Sequence, residues 1–373
     1  TLPSSAEKGD QIVLIDYART WGTNKIIIDS NGLNYQGNDD TYTVEYTTDG
    51  QSLNIVYSDA TKGWLPLEDD VTALEPVSPP TQKAIFAYGY NASGAGRLSM
   101  SNLVNSSGVV AADVTGVGTA RMTIAATSYG GDKAIFGYGD PGGGATNLSN
   151  LVSSSGVIAS DTTGVGTARY APAAASYDGD KGIFGYGDTG GDSYVSLTNL
   201  VNNSGVIATD TTGVGTARRY LAATGYGSSG QAVFAYGSTG SRLSMKNLVS
   251  NSGVVASDAT GVGSARNNLA AVKYGADKAI FGYGSTGSIT GVTNLVSNVG
   301  VIASDVSGVG TARQYLAAAS YGGDKALFGY GNTAGGAVSM TNLVSNSGVV
   351  GADVTGVGSA RETLGAAGYS TSA

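Results

Sequence analysis

An all-β fold follows from three features of the sequence. Gly supplies 59 of 373 residues, and clusters of Gly with Asn, Asp or Ser recur along the chain, the punctuation of many short strands. The string Gly-Val-Gly-(Thr/Ser)-Ala-Arg occurs six times, ending at Arg121, Arg169, Arg218, Arg266, Arg313 and Arg361, at intervals of 47 to 49 residues. Phe86, Phe136, Phe184, Phe234, Phe281 and Phe328 recur in step, each opening Phe-(Gly/Ala)-Tyr-Gly. A period near 48 fits a blade of four short strands. The chain therefore reads as a small N-terminal β domain followed by a six-bladed β-propeller.

Residues 1–75 form the first domain. Apolar, β-branched and aromatic runs predict strands over 11–17, 25–29, 42–46 and 53–57, separated by turns rich in Gly or Asn. Residues 1–80 hold 13 acidic and four basic groups, a net charge of −9, whereas residues 81–373 carry +1. That change, with Pro76, Pro79 and Pro80, marks 76–80 as a Pro-rich linker. The chain opens on Thr1 within what reads as a strand, so the expectation is a piece of a longer protein.

One repeat illustrates the rest. Residues 315–321 (Tyr-Leu-Ala-Ala-Ala-Ser-Tyr) predict the first strand and 325–330 the second, with a Gly-Gly-Asp turn between them. The loop at 332–336 leads into a third strand over 338–344, and a Ser-Asn-Ser-Gly turn leads into a fourth over 349–353. The second strand is apolar on both faces, as burial between stacked blades requires. The repeat region starts with a second strand at Lys83 and ends with a first strand over 363–369. One blade is thus split between the two ends. An open solenoid gains nothing from this, but a ring gains closure, because pairing the two ends leaves no seam edge.

The sequence also excludes chemistry. His and Cys are absent, so there is no zinc cage, thiol nucleophile, disulfide or Ser-His-Asp triad. Neither half is basic enough to predict nucleic-acid binding, and no apolar run is long enough for a membrane span. No metal or cofactor is expected. One carboxylate per turn falls short of the six to eight oxygens calcium takes. A propeller glycosidase would need two facing carboxylates, which the sequence does not place, so no enzyme and no catalytic residues are expected.

Two sets of residues are candidates for function. The six repeat Arg residues follow Asp113, Asp161, Asp210, Asp258, Asp305 and Asp353 by eight positions each. The expected role is that each Arg pairs its Asp or caps loop carbonyls, joining blade to blade, since assembly needs an interaction repeated six times. A ring of Arg at a pore mouth that binds acidic glycans is the alternative. The second set lies where the repeats disagree. The second-to-third loops and the residue after each Arg fall on one face, and both vary. Tyr90, Asn91, Tyr170, Asp188, Asp192, Tyr194, Arg219, Tyr220, Arg242, Asn267, Gln314 and Tyr315 are the candidate ligand-binding residues there. Tyr and Arg side chains can stack on and hydrogen-bond to sugars.

Two resemblances add to this reading. Arg313 before an Ala-rich inner strand, then Ala-Leu-Phe-Gly-Tyr-Gly ending at Gly331, resembles kelch-type propellers. The kelch Trp is missing and Gly-Tyr-Gly replaces the glycine pair. Within the first domain, Thr1-Leu-Pro-Ser, Gly9-Asp-Gln-Ile-Val-Leu-Ile-Asp-Tyr17, Thr23-Asn24, Ile28, Asn31-Gly32, Gly37, Leu53-Asn-Ile-Val-Tyr57 and Lys62-Gly63-Trp64 resemble a β-module of bacteriophage tail fibres and related virion fibres. That resemblance implies an outward-facing virion appendage and a homotrimer through the first domain. The expected function is attachment to a host-surface polysaccharide or receptor through the variable face. The alternative is a structural decoration or spacer that contacts only other virion subunits.

Overall fold

The computed structural model describes residues 1–67 and 81–372; the linker expected at 76–80 lies outside them. The chain divides into two compact units, Thr1–Val77 and Ser78–Ala373. Among the described residues all of the regular structure is β.

In the first unit, Ser52–Tyr57 is the central strand of an antiparallel sheet, flanked by Gln11–Ile15 and Trp64–Pro66. Ile26–Ile28 pairs separately with Val44–Tyr46. The strand expected over 11–17 stops at Ile15 because the Asp16 carboxylate accepts the amides of Thr20, Trp21 and Gly50 and turns the chain. The strand at Trp64 was not foreseen. It depends on Gly63, which has φ +65° and whose absent Cβ would sit 1.7 Å from the Asn34 carbonyl oxygen. Trp64 then packs edge-on against Tyr57, with ring centroids 5.5 Å apart, over a core of Leu2, Ile28, Val44, Leu53 and Ile55. Thr1 lies outside any strand.

The second unit is a β-propeller of six three-stranded antiparallel sheets. Blade 1 combines Gly365–Tyr369 with Lys83–Asn91 and Gly96–Val104, so the first and last strands of the unit share one sheet. Blade 2 is Ala125–Tyr129, Lys133–Gly137 and Ser149–Val152, and blade 3 is Ala173–Tyr177, Lys181–Asp188 and Tyr194–Val201. Blade 4 is Ala222–Tyr226, Gln231–Ala235 and Lys246–Val249. Blade 5 is Ala270–Tyr274, Lys278–Gly282 and Thr293–Val296, and blade 6 is Ala317–Tyr321, Lys325–Gly329 and Thr341–Val344. Each inner strand touches the next around a closed circuit, the last being Gly365–Tyr369 against both its neighbours.

The expected fourth strand is not a ladder strand. Its segment touches the third strand only through isolated bridges, such as Val344 with Val350 and Thr341 with Val354. The cause is the third-strand Asn. In blade 6, Asn342 donates its side-chain amide to the Gly351 carbonyl and to Asp353, displacing the backbone partner that a regular ladder would use. The same pair of bonds recurs in the other five blades.

The Phe-(Gly/Ala)-Tyr-Gly signature packs blade against blade. Each buried Phe meets the Tyr of the preceding blade at 5.1 to 5.3 Å, ending with Phe86 against Tyr330. That Tyr adopts φ near +60° and donates its hydroxyl to a Val carbonyl, as Tyr330 does to Val357 at 3.2 Å. The glycine after it is obligatory. At Gly331, with φ +104°, a Cβ would lie 2.8 Å from the Gln314 carbonyl oxygen.

Candidate functional site

The six repeat Arg residues are fully buried and stand between blades. The guanidinium of Arg169 stacks on Tyr138 of blade 2 at 4.0 Å and donates to Asn199 of blade 3 at 2.7 Å. Arg169, Arg218, Arg313 and Arg361 cap loop carbonyls as expected, those of Thr167, Thr216, Thr311 and Ser359, but the alternative pairing with the Asp eight positions earlier is incorrect. Arg121 meets Asp161 of the next repeat at 3.3 Å, and Arg218, Arg266 and Arg313 face Asp258, Asp305 and Asp353 at 3.7 to 4.0 Å. Asp113 belongs to Arg361 across the seam. The cause is chain direction, because Arg ends the crossover from one blade and enters the groove beside the next. Each Asp also anchors the crossover itself. Asp210 accepts from the Thr167 amide and hydroxyl, at 3.0 and 2.6 Å on Oδ2. Burial works against its charge, but the bonds from Thr167 and Asn199 and the nearby Arg169 hold its carboxyl below the usual range. Buried and bonded in this way, the repeat Arg residues do not reach a ligand.

The residue after each Arg lies outside the inner strand. Met122, Tyr170, Arg219, Asn267, Gln314 and Glu362 each bridge the end of the second strand of their own blade or the loop that follows it, so both sets do share one face. The next residue turns into the left-handed region, with φ +50° to +57° at Thr123, Ala171, Tyr220, Asn268, Tyr315 and Thr363. This twist points their peptides along the ring. Thr123 donates to Thr363, Ala171 to Thr123, Tyr220 to Ala171, Asn268 to Tyr220, Tyr315 to Asn268 and Thr363 to Tyr315, at 2.8 to 3.3 Å. A closed hexagon of backbone hydrogen bonds therefore rims the mouth of the propeller axis. Ile124, Pro172, Leu221, Leu269, Leu316 and Leu364 line the recess with it, which measures about 80 Å³. The inner strands begin one residue beyond that apolar ring.

Over this rim the six-fold symmetry breaks between blades 3 and 4. Arg219 donates to Asp188 at 2.7 Å and to the Tyr170 hydroxyl at 3.3 Å, and its other terminal nitrogen pairs with Asp192 at 2.8 Å. Its guanidinium lies 5.1 Å from the ring centroids of both Tyr194 and Tyr220. Tyr170 donates to Asp188 at 3.1 Å and Tyr194 to Asp192 at 3.1 Å. Tyr220 meets Tyr315 edge-on at 5.9 Å across the mouth. Asp188 is wholly buried, while the Asp192 side chain is 68% exposed. Burial pushes the Tyr220 phenol up to about 12 and raises Tyr315 and Tyr170 as well, so all three are neutral donors near pH 7. Burial likewise raises the carboxyl of half-buried Glu362, against a bond from Asn332.

Seven of the twelve candidate residues thus come together: Tyr170, Asp188, Asp192, Tyr194, Arg219, Tyr220 and Tyr315. Tyr90 and Asn91 sit on blade 1, where Tyr90 bridges Glu362 and Asn91 donates to the Ala360 carbonyl. Arg242 is exposed on the blade 4 loop, and Asn267 and Gln314 bridge Ser285 and Asn332. These five lie outside the cluster. Asn268 was not a candidate, yet it lines the recess and donates to the Gln314 amide oxygen at 3.4 Å. Its signal was available, since the second position after Arg also varies, as Thr, Ala, Tyr or Asn.

No protein-family model matches the chain, and no curated protein resembles it at a significant level. Among solved structures, the one described as "Structure of YjhT" aligns with a TM-score of 0.52 at 13% identity, covering 72% of this chain and 96% of that one. At that identity the likeness shows the fold alone. Some 248 solved chains match significantly, and a fold shared so widely does not select a function.

Proposed function

We propose that this chain is part of a bacteriophage fibre or a related virion appendage. In this reading it binds a host-surface glycan, without turnover, at the mouth between blades 3 and 4. The observation that carries the proposal is the Arg219 cluster. The Arg, Asn, Phe and Tyr contacts between blades repeat around the ring, and assembly alone does not require one mouth position to gather four Tyr residues, two carboxylates and an Arg. Phenol faces beside fixed acceptors suit the alternating apolar and hydroxyl surfaces of sugars. The virion setting rests on the fibre-like motifs of residues 1–75. Self-association is assigned to that first unit, where Val13 and Ile15 are exposed on the Gln11–Ile15 strand and Tyr17 just beyond it.

The test is a glycan microarray probed with the full chain and with Tyr194→Ala. Retention by the parent and loss of about tenfold in affinity in the variant, near the 1.4 kcal/mol that removing a stacking aromatic contributes, supports the reading. Equal behaviour of the two proteins sinks it.

One observation favours the structural alternative. Val109, Val157, Val206, Val254, Val301 and Val349 are all about 60% exposed or more and recur once per blade. Such a repeating apolar series suits packing against other virion subunits.

A further inference from the structure

We infer that the glycan bound at this mouth is non-acidic, a neutral or amine-bearing sugar chain rather than a uronate, sialate or sulfated polymer; this rests on the function proposed above. An acidic sugar is held most strongly by a cation free to pair with it. Arg219 is the only cation in the cluster, and its charge is already shared by Asp188 at 2.7 Å and Asp192 at 2.8 Å. The three groups sum to one negative charge, and Asp192, the most exposed of them, is the carboxylate an incoming ligand meets first. Glu362, whose carboxyl bears on Tyr315 from the adjoining blade 1, adds acid and no base.

The remaining cations of the face are bound or turned elsewhere. The repeat Arg residues are inaccessible. Arg97 is held by the Asp140 carboxylate at 2.9 Å and its carbonyl at 3.1 Å. Arg242 extends toward Gly287 of blade 5, whereas Asp192 and Tyr194 stand on blade 3. What the mouth offers instead is phenol donors that stay neutral and one exposed carboxylate. Those groups bond sugar hydroxyls and attract an amine.

The experiment is affinity electrophoresis of the full chain through gels containing dextran, mannan or chitosan oligosaccharides, against polygalacturonate, polysialic acid or heparin. Retention by a non-acidic polymer at least about tenfold stronger than by any acidic one is expected, since like charges at about 4 Å cost about fivefold in bulk water and far more near a protein surface. In Asp192→Asn the ratio of acidic to non-acidic retention rises severalfold. Strongest retention by an acidic polymer, falling steeply with salt, overturns the inference and leaves the glycan-binding function standing. So does a ratio unmoved by Asp192→Asn. Retention by none of the six overturns both.

Discussion

Ending the chain at Arg361 removes the inner strand of blade 1 and opens the ring. The strand Gly365–Tyr369 is registered residue by residue against Lys83–Ala87. Its loss also breaks the mouth hexagon at Thr363, the bridge of Glu362 to Tyr90, and the bond from the Ser370 amide to Asp132 at 2.7 Å. Leu364, Ala366, Ala367 and Tyr369, all under 10% exposed, leave the core. Roughly 300 Å² of apolar surface at about 25 cal/mol per Å² is about 7 kcal/mol, an upper estimate. Typical domain stabilities are about 5–15 kcal/mol, so the propeller becomes marginal. For a unit of this size the loss corresponds to a fall of about 10 °C in melting temperature. The unpaired edge of Lys83–Ala87 also becomes a template for association. Circular dichroism melting with light scattering measures both effects. A truncated chain that stays monomeric and melts within two degrees of the parent refutes the closed-ring argument.

Three further outcomes follow from the charged groups. Arg169→Met leaves Asn199 and Asp210 facing an apolar side chain and is expected to destabilise by about 3 kcal/mol, read by urea denaturation, with Asp210→Asn added in the same chain recovering part of it. The six repeat Asp carboxyls are all held below their ordinary value; their stabilisation is therefore complete above the unfolded pKa of about 4 and is lost as pH falls through the folded values. Because the chain has no His, the melting temperature should be nearly flat from about pH 5 to 8 and drop below about 4; a steep change near pH 6.5 would contradict this. Lys273 occupies an inner-strand position where the other blades have Ser or Gly, and burial lowers its amine. A folded pKa below the unfolded one means the charged amine costs stability at neutral pH, so Lys273→Ser should melt about 1–2 °C higher at pH 7, and the gain should shrink at high pH.

Much of the fold was legible because it depends on local chemistry repeated six times. The period of the Arg strings and the phase of the two ends were enough to place Gly365–Tyr369 beside Lys83–Asn91. What escaped depends on choices that repetition hides. In a ring, an Asp eight residues before Arg169 and another about 40 residues after it are equivalent by pattern, and only the path of the chain between blades selects Asp210. The mouth hexagon needs positive φ at Thr123, Ala171, Tyr220, Asn268, Tyr315 and Thr363, none of them Gly, so no residue type announces it. The outer strand failed because a third-strand Asn replaced its ladder with side-chain bonds. At the site, variation between repeats found Tyr194 and Arg219 but also selected Arg242 and Asn267. The discriminating feature is loop geometry. In blade 3 the ladder runs on to Asp188 and Tyr194 past a bulge, holding Asp192 and Tyr194 beside Arg219. Blade 1 has a similarly extended hairpin, but Met122 stands where blade 4 has Arg219.

The most direct measurement of the proposed site is hydrogen exchange of the full chain, followed by mass spectrometry, with and without saturating dextran, mannan or chitosan oligosaccharides, whichever is retained. Slowed exchange confined to 188–194, 219–220 and 315 is the expected result. Protection instead along the exposed Val series or the first unit, with 188–194 unchanged, would contradict a binding site between blades 3 and 4.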